Sequence, residues 1–226
     1  MVSFSGMRFP KEIILVCIRW YAAYPLSYRN LEEMMAERGV RVDQSTVNRW
    51  TVRFLPMLEK VFRSKYKRSV GKSWRMDETY LKVNGQWKYL YRAVDKEGHT
   101  VDFLLRAKRD RPAATAFFKK ALGANGDPEK VTMDRSGANK AAIDGINKER
   151  NTVIEVRQIK YLNNMVEQDH RAVKRISKPM LGFKSFCSAR ATLAGIELMH
   201  MIKKGQMTDL LGKGLSAANQ FYALAA

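Results

Sequence analysis

The apolar positions in the first part of the chain recur with a helical period. Residues 11–24, KEIILVCIRWYAAY, are apolar around most of a helical circumference, which predicts a well-buried helix that ends before Pro25. Ser27 is a favourable N-cap for a second helix, and Gly39 is a typical residue at the end of one. The pattern therefore begins with two helices separated by a short turn.

A third helix is predicted after Asp43, which can serve as its N-cap, and we expect it to end near Pro56. Two helices joined by a short turn containing glycine form the helix-turn-helix pattern, whose second helix enters the major groove of DNA. The polar residues at the start of this helix can bond base edges and phosphates. They are Gln44, Ser45, Thr46, Asn48 and Arg49. The alternative is an ordinary three-helix bundle with a polar face.

From residue 73 the apolar positions follow a different period. Two apolar runs flank Asn84-Gly85, which is the strongest short-range signal for a β-hairpin, and the turn DKEG leads into a third strand, HTVDFLLRAK. The rest of the pattern predicts helix, strand, helix, strand and then helices over residues 163–177 and 186–204. We therefore expect an α/β class, with a mixed sheet flanked by helices and preceded by a small all-α domain.

The charge of the chain indicates a polyanionic partner. The 41 lysines and arginines against 22 acidic residues give a net charge of +19, and nucleic acid is the partner that this surplus favours. The longest apolar run, IILVCI, is far shorter than a membrane span, and the N-terminus does not resemble a signal peptide. Two cysteines without a disulfide framework fit a reducing cytosol, so we expect a cytoplasmic, nucleoid-associated protein without membrane contact.

A basic segment separates the two patterns. Residues 63–72, RSKYKRSVGK, include Lys65, Lys67 and Arg68 and no acidic residue, which predicts a hinge that also contacts phosphate. A solvated loop is the alternative, and the two interpretations are compatible. The expected boundaries are a helix-turn-helix domain over 1–62, a basic linker over 63–72, an α/β domain over 73–205 and a C-terminal tail over 206–226.

Two aspartates lie in or directly after predicted strands, where enzymes with α/β sheets commonly hold their active sites. Asp77 lies inside an apolar strand, where a carboxylate is unfavourable unless it is paired or bound to metal. Asp134 follows the apolar run KVTM and precedes a glycine turn and a helix. Because side chains alternate along a strand, we expect Glu78 to point away from Asp77, so that only one of the two faces a given site. Asp95, Glu97 and Asp110 are predicted to be turn residues.

A third acid lies in the segment YLNNMVEQDHRAVKR, residues 161–175. A helical projection puts Leu162 on an apolar stripe and Glu167, with Lys174 two turns later, on the polar face. Asn164 followed by Glu167 also resembles a capping box, so spacing alone slightly favours a structural role for the glutamate. Asp169 falls within the apolar stripe, where the sequence gives it no identified partner.

Three carboxylates in a basic chain match the needs of phosphodiester transfer. Two divalent ions can activate the attacking oxygen and stabilise the leaving one, and magnesium prefers carboxylate oxygens and waters. The surrounding cations would position DNA.

Long stretches of the chain resemble one family of enzymes. The residues MDETYLKVNGQWKYLYRAVDKEGHTVDFLLRAKRD, VTMDRSGANKAAI and YLNNMVEQDHRAVKR, with the N-terminal LSYRNLEEMMAERGVRVDQSTVNRW, are similar to transposases of the IS-six family of bacterial insertion sequences. These are DDE enzymes with an RNase H-like catalytic core, and the resemblance covers nearly the whole chain. It implies that Asp77, Asp134 and Glu167 form a catalytic, metal-binding triad, with Lys174 as the cation two turns after the glutamate.

The resemblance also implies Mg²⁺-dependent cleavage at the ends of the element and transfer of the strands into target DNA. The expected cofactor is two Mg²⁺ ions, with Mn²⁺ as a substitute, the route is replicative through a cointegrate, and the assembly is a homodimer or larger. Arg171, Lys174 and Arg175 are expected to contact DNA together with the basic linker. The alternatives are a non-catalytic helix-turn-helix regulator and an RNase H-like nuclease that does not join strands.

Overall fold

A computed structural model describes residues 2–150, 153–159, 163–180, 182–208 and 214–225. It contains two compact units, one formed by residues 1–68 with 173–226 and the other by residues 69–172. Leu162, predicted to lie on an apolar stripe, is outside the described residues. No helix within the described ranges is long and apolar enough to cross a membrane.

The three N-terminal helices form where their capping residues predict. They are α1 (Lys11–Ala23), α2 (Tyr28–Ala36) and α3 (Gln44–Val61). Ser27 closes a capping box with Asn30, and the Asp43 side chain accepts a hydrogen bond from the amide of Ser45. Gly39 adopts a φ of 74°, the left-handed conformation that ends α2 at low cost. The helices predicted from the N-caps are therefore confirmed.

Helix α3 extends further than its proline predicts. Pro56 lies inside the helix, and the chain continues from Val61 through a π-helical turn over Phe62–Tyr66. The buried Phe62 anchors this extension. Pro56 thus lies near the end of α3 as expected, and the helix continues for five residues beyond it because the apolar residues that follow are buried. The first part of the basic segment is consequently helical.

The same unit contains the last helices of the chain. Helix α7 (Phe186–Lys203) packs against α1 and α3, and a Cβ atom added to Gly195 would collide with the side chain of Leu55. Helix α8 (Ala217–Ala223) lies in the segment predicted to be a tail and buries Phe221. Helices distant in sequence therefore complete one helical core. The predicted domain boundaries differ from the limits of these compact units, and the predicted division into domains stays a prediction.

The second unit is built on a five-stranded sheet with the order β3-β2-β1-β4-β5. Its strands are β1 (Ser73–Val83), β2 (Gln86–Asp95), β3 (Thr100–Arg106), β4 (Lys130–Thr132) and β5 (Glu155–Arg157). Asn84 and Gly85 both have positive φ, as a two-residue turn of type I′ requires, which confirms the predicted hairpin. β1, β2 and β3 are antiparallel, whereas β4 and β5 run parallel to β1.

Helices α4 (Arg111–Asn125) and α5 (Gly137–Arg150) supply the core on one face of the sheet. Trp74 and Met76 of β1 pack in this core with Tyr91 of β2 and Phe117 of α4. Helix α6 (Asn164–Ser177) begins in this unit and continues past residue 172. Three antiparallel strands in succession, followed by two parallel strands that are each preceded by a helix, confirm the predicted mixed sheet flanked by helices.

Candidate active site

The parallel pairing of β1 with β4 brings the two predicted aspartates together. Arg75 of β1 pairs with Thr132, the last residue of β4; Asp77 lies two residues further along β1, and Asp134 lies two residues beyond the end of β4. Their carboxylate oxygens lie within 4.8 Å of each other, in a cluster that could hold a metal ion. The paired part of β4 ends at Thr132, so the register brings the chain beside β1 and the segment that follows β4 carries Asp134 to Asp77.

Glu78 completes the cluster, contrary to the sequence prediction. Its carboxylate, with those of Asp77 and Asp134, forms a set whose ligand atoms are all within 4.8 Å of one another. Alternation still holds, since Glu78 lies opposite Tyr91 on the face covered by α4 and α5, while Asp77 lies opposite Arg92. However, β4 ends at Thr132, so no strand separates the two faces beside Asp134. The expectation that only one of the adjacent acids can face the site was therefore wrong.

An arginine bridges two of these carboxylates. The guanidinium of Arg109 donates to Glu78 at 3.2 Å and to Asp134 at 3.1 Å. Asn139, at the start of α5, donates to Glu78 at 3.0 Å. Burial raises the pKa of Glu78 above its usual range, although the bonds from Asn139 and Arg109 favour its charged form. Positive charge is thus already placed between Glu78 and Asp134.

Asp77 faces helix α6 on the other side of the sheet. The Nε2 atom of His170 lies 3.6 Å from an Asp77 carboxylate oxygen. The His170 side chain is 6% exposed, and neither ring nitrogen has a hydrogen-bond partner among the described residues. A buried imidazole beside a carboxylate can donate to it and hold it in one orientation.

Asp169, which the sequence leaves without a partner, pairs with a buried arginine. Arg92 of β2 is fully buried and donates to the Asp169 carboxylate from Nε at 3.2 Å and from Nη2 at 3.0 Å. The same guanidinium donates to the Thr100 hydroxyl at 3.0 Å. Since Arg92 is the cross-strand neighbour of Asp77, this pair holds the beginning of α6 against the part of the sheet that carries the acids.

Glu167 is exposed in the first turn of α6 and is not part of the cluster found among the described residues. It lies one turn before His170, which places it about 4.5 Å along the helix axis from a residue that approaches Asp77. The helix begins at Asn164, and the capping-box role of Asn164 with Glu167 also stays a prediction. Membership of Glu167 in a triad stays a prediction.

A family model described as a DDE domain matches residues 71–206. A transposase of the insertion sequence-like element IS431mec of Staphylococcus aureus is 39% identical over 221 residues, covering 97% of this chain and 97% of that protein. The transposase of element IS257 in transposon Tn4003, also from Staphylococcus aureus, has the same identity and coverage. The chain belongs to the DDE transposases of the IS-six family. It is a DNA transposase with a polynucleotidyl transferase site, as the resemblance in its motifs implied.

Solved structures of retroviral integrase cores are distant neighbours of the transposase. The catalytic core of HTLV-2 integrase, trimeric form, is 16% identical with a TM-score of 0.48 and covers 67% of this chain and 98% of that chain. The BIV integrase core is 16% identical with a TM-score of 0.46, over 69% of this chain and 95% of that chain.

The residues at the start of α3 line a cleft in the helical unit of the transposase. Gln44, Ser45 and Asn48 border a cavity of about 580 Å³, together with Arg29 of α2 and Lys184. Arg49 is exposed and donates to the Thr46 hydroxyl at 2.8 Å. The predicted recognition residues therefore lie on an accessible polar surface at the N-terminal end of a helix, where backbone amides favour an anion.

The remaining predicted DNA contacts differ in exposure. Lys65, Arg68, Arg171 and Arg175 are exposed, whereas Lys67 and Lys174 are half-buried. The backbone of Lys67 forms a β-bridge with Met207, and the amide of Arg68 donates to the carbonyl of Gln206. This end of the basic segment is thus tied to the chain near residue 206 rather than being a free loop.

The acidic cluster fits a divalent cation by its chemistry. Carboxylate oxygens are preferred magnesium ligands, and Asp134 is about two-fifths exposed while Asp77 is one-fifth exposed. Sequence reasoning missed Glu78, Arg109 and His170 as neighbours of the site. The sequence does show Glu78 directly after Asp77. The positions of Arg109 and His170, by contrast, depend on contacts between elements that are distant in sequence.

Proposed function

We propose that this transposase binds the ends of its insertion sequence, cleaves them in a Mg²⁺-dependent reaction and joins the resulting 3′-hydroxyls to target DNA. The observation that supports the proposal is the proximity of the Asp77 and Asp134 carboxylates, which lie within 4.8 Å of each other in a chain of net charge +19. Glu167 is proposed as the third acid because it lies one turn from His170, which approaches Asp77. These three residues would act as both catalytic groups and metal ligands.

The proposed cofactor is two Mg²⁺ ions, with Mn²⁺ as a substitute. They would supply activation of the attacking oxygen and stabilisation of the leaving oxygen at the phosphate. His170 would orient Asp77, while the amide of Ser136 donates to the Asp134 carboxylate at 3.1 Å. A preorganised set of carboxylates requires little rearrangement when it binds divalent cations.

Arg109 would help to bring the DNA phosphate to the acidic cluster. Its guanidinium donates to the buried Glu78 as well as to Asp134. It would therefore stay at the site when a bound Mg²⁺ ion neutralises the charge on Asp134. A cation at this place attracts a DNA phosphate to the acids, which would otherwise repel it.

DNA would be bound mainly by the helical unit. We propose that Gln44, Ser45, Thr46, Asn48 and Arg49 contact the element ends. The proposed phosphate contacts are Lys65, Lys67, Arg68, Arg171, Lys174 and Arg175. The surplus of 19 positive charges supports this role, since each phosphate contact releases counterions and makes binding sensitive to salt.

We further propose a homodimer or larger assembly on paired ends and a replicative route through a cointegrate. The substrate, bacterial DNA, implies a cytoplasmic protein associated with the nucleoid. Sedimentation of the protein with two end-containing duplexes measures the assembly, and the topology of the joined products distinguishes a cointegrate from simple insertion.

The test of the proposal uses purified protein, a duplex carrying the element's end, a target plasmid and Mg²⁺. We expect the wild type to produce joined strands, and Asp134→Asn to bind the end with nearly unchanged affinity while losing joining by at least a hundredfold. Arg49→Ala should bind the end more weakly while its core stays folded. Joining by Asp134→Asn at the wild-type rate would refute the assignment of the acids.

Asp144→Asn is a matched control for this test. The side chain of Asp144, on α5, is 45% exposed and pairs with Lys140 at 2.7 Å. The substitution makes the same change of charge and shape, and we expect it to leave joining unaffected. Cleavage without joined products in the wild type would favour the nuclease, and end binding without cleavage would favour the regulator.

A further inference from the structure

The hairpin formed by β1 and β2 carries large aromatic side chains in solvent. Tyr80 is 55% exposed and Trp87 is 57% exposed. Their rings meet edge to face, with centroids 5.2 Å apart and an interplanar angle of 79°. Exposure of two large aromatic rings side by side is unfavourable in water, so a contiguous pair of this kind marks a binding surface.

The strand register shows what shares this surface. Tyr80 pairs with Tyr89, and Tyr89 pairs with Arg106 on β3. One step towards the tip of the hairpin, Lys82 pairs with Trp87, and its ammonium lies 5.8 Å from the centre of the indole ring. We call Tyr80, Lys82, Trp87, Tyr89 and Arg106 the aromatic platform. Its chemistry is three rings and two cations.

The aromatic platform lies on the same face of the sheet as Glu78. Residues 78, 80 and 82 alternate to one side of β1, and two residues along a strand span about 7 Å. The rings therefore begin about 7 Å from the acidic cluster, measured along the strand. Residues 79–94 contain no aspartate or glutamate, so no carboxylate of this hairpin repels a phosphate chain.

Aromatic rings combined with cations are the chemistry that binds unpaired nucleotides. Bases stack on such rings with little dependence on sequence, while lysine and arginine bind the phosphates. A second copy of the chain would bury the rings equally well, but its net charge of +19 would oppose the two cations placed beside them. The charge of the surface thus favours a nucleic acid over a second copy of the chain.

We propose that the aromatic platform binds unpaired nucleotides of the DNA strand that lies at the acidic cluster. The inference rests on the proposed function, since it takes DNA to be the substrate of the cluster. Trp87 and Tyr80 provide the stacking surface, and Lys82 and Arg106 neutralise the phosphates. The platform would hold a frayed or cleaved end next to the acids.

The test compares two fluorescent duplexes of the same sequence, one blunt and one with a single-stranded oligothymidine extension. Binding to the full-length protein is measured by anisotropy. We expect the wild type to prefer the extended duplex, and Trp87→Ala to bind the extended duplex roughly tenfold more weakly while binding the blunt one unchanged. Trp87→Phe should keep most of the preference because it keeps a ring.

A matched control is Met57→Ala, which removes another exposed apolar side chain, 39% exposed, from α3. It should not change the preference for the extended duplex. Equal affinity of the wild type and Trp87→Ala for the extended duplex would overturn the proposal. A decrease in sedimenting mass of Trp87→Ala without DNA, with the DNA preference intact, would also overturn it in favour of a second copy.

Failure of the platform and failure of the proposed function give different results. If the protein joins strands and Asp134→Asn does not, while Trp87→Ala binds both duplexes as the wild type does, only the platform proposal fails. If Asp134→Asn joins strands normally, the function assigned to the cluster fails, and a loss of preference in Trp87→Ala would still show stacking.

Discussion

Removal of the Asp169 carboxylate is expected to destabilise the transposase and to stop strand joining. Arg92 is fully buried, and Asp169 accepts two of its hydrogen bonds, at 3.2 and 3.0 Å. In Asp169→Ala the guanidinium stays in the sheet without this counter-charge. Because the pair holds α6, which carries His170 and Glu167, the loss is expected to affect the geometry of the site as well as stability.

The magnitude follows from the burial of both partners. The side chain of Arg92 is 0% exposed and that of Asp169 is 12% exposed, so solvent screens the pair little. Breaking a buried pair by removing one partner costs about 3–5 kcal/mol, whereas an exposed pair contributes about 0.2–1 kcal/mol. The bond from Arg92 to Thr100 persists and places the expected loss near the lower end, about 3 kcal/mol.

The assay is urea unfolding of Asp169→Ala beside Asp144→Asn, whose carboxylate pairs with Lys140 at the surface. We expect a loss of about 3 kcal/mol for the first variant and less than about 1 kcal/mol for the second. Replacing both buried partners, in Arg92→Met with Asp169→Leu, should restore part of the loss because no uncompensated charge is left inside.

An unfolding free energy of Asp169→Ala within about 1 kcal/mol of the wild type would refute the reasoning, because it would show that the pair is not buried in solution. If Asp169→Ala loses about 3 kcal/mol of unfolding free energy and still joins strands at the wild-type rate, the link between this pair and the active site is refuted. The two measurements test the packing and the functional consequence separately.

Three further predictions concern packing and thiol chemistry. Gly195→Ala should destabilise the protein by about 1–3 kcal/mol in urea unfolding, because the new methyl group collides with Leu55 between two packed helices. Gly123→Ala, in a helix where no described atom lies within 4 Å of the added Cβ, should instead stabilise it by about 0.4–1 kcal/mol, and a loss there would contradict the helical assignment. Burial raises the pKa of Cys17 to about 11, so at pH 8 this thiol stays protonated while the exposed Cys187 is accessible. Ellman's reagent should therefore modify one thiol quickly in the native protein and both in denaturant, and rapid modification of both in the native state would contradict the burial.

The sequence by itself determined the elements that depend on local signals. Ser27 and Asp43 cap helices because their oxygens meet amides two or three residues away, and Asn84-Gly85 turns the chain because both residues tolerate positive φ. Asp77 was identifiable because a carboxylate inside an apolar strand is unfavourable unless it is paired or bound to metal, and Asp134 because open α/β sheets hold their sites at the carboxyl ends of strands.

The tertiary structure alone decided how these elements meet. Helix α7 completes the N-terminal helical core although some 120 residues of sequence separate it from α3, and no local pattern encodes that choice of partner. Glu78 joined the cluster because β4 is short, and Asp169 found a partner in Arg92, 77 residues away. Side-chain periodicity gives the face on which a residue lies, but the register between strands and the packing of helices decide what that face contacts.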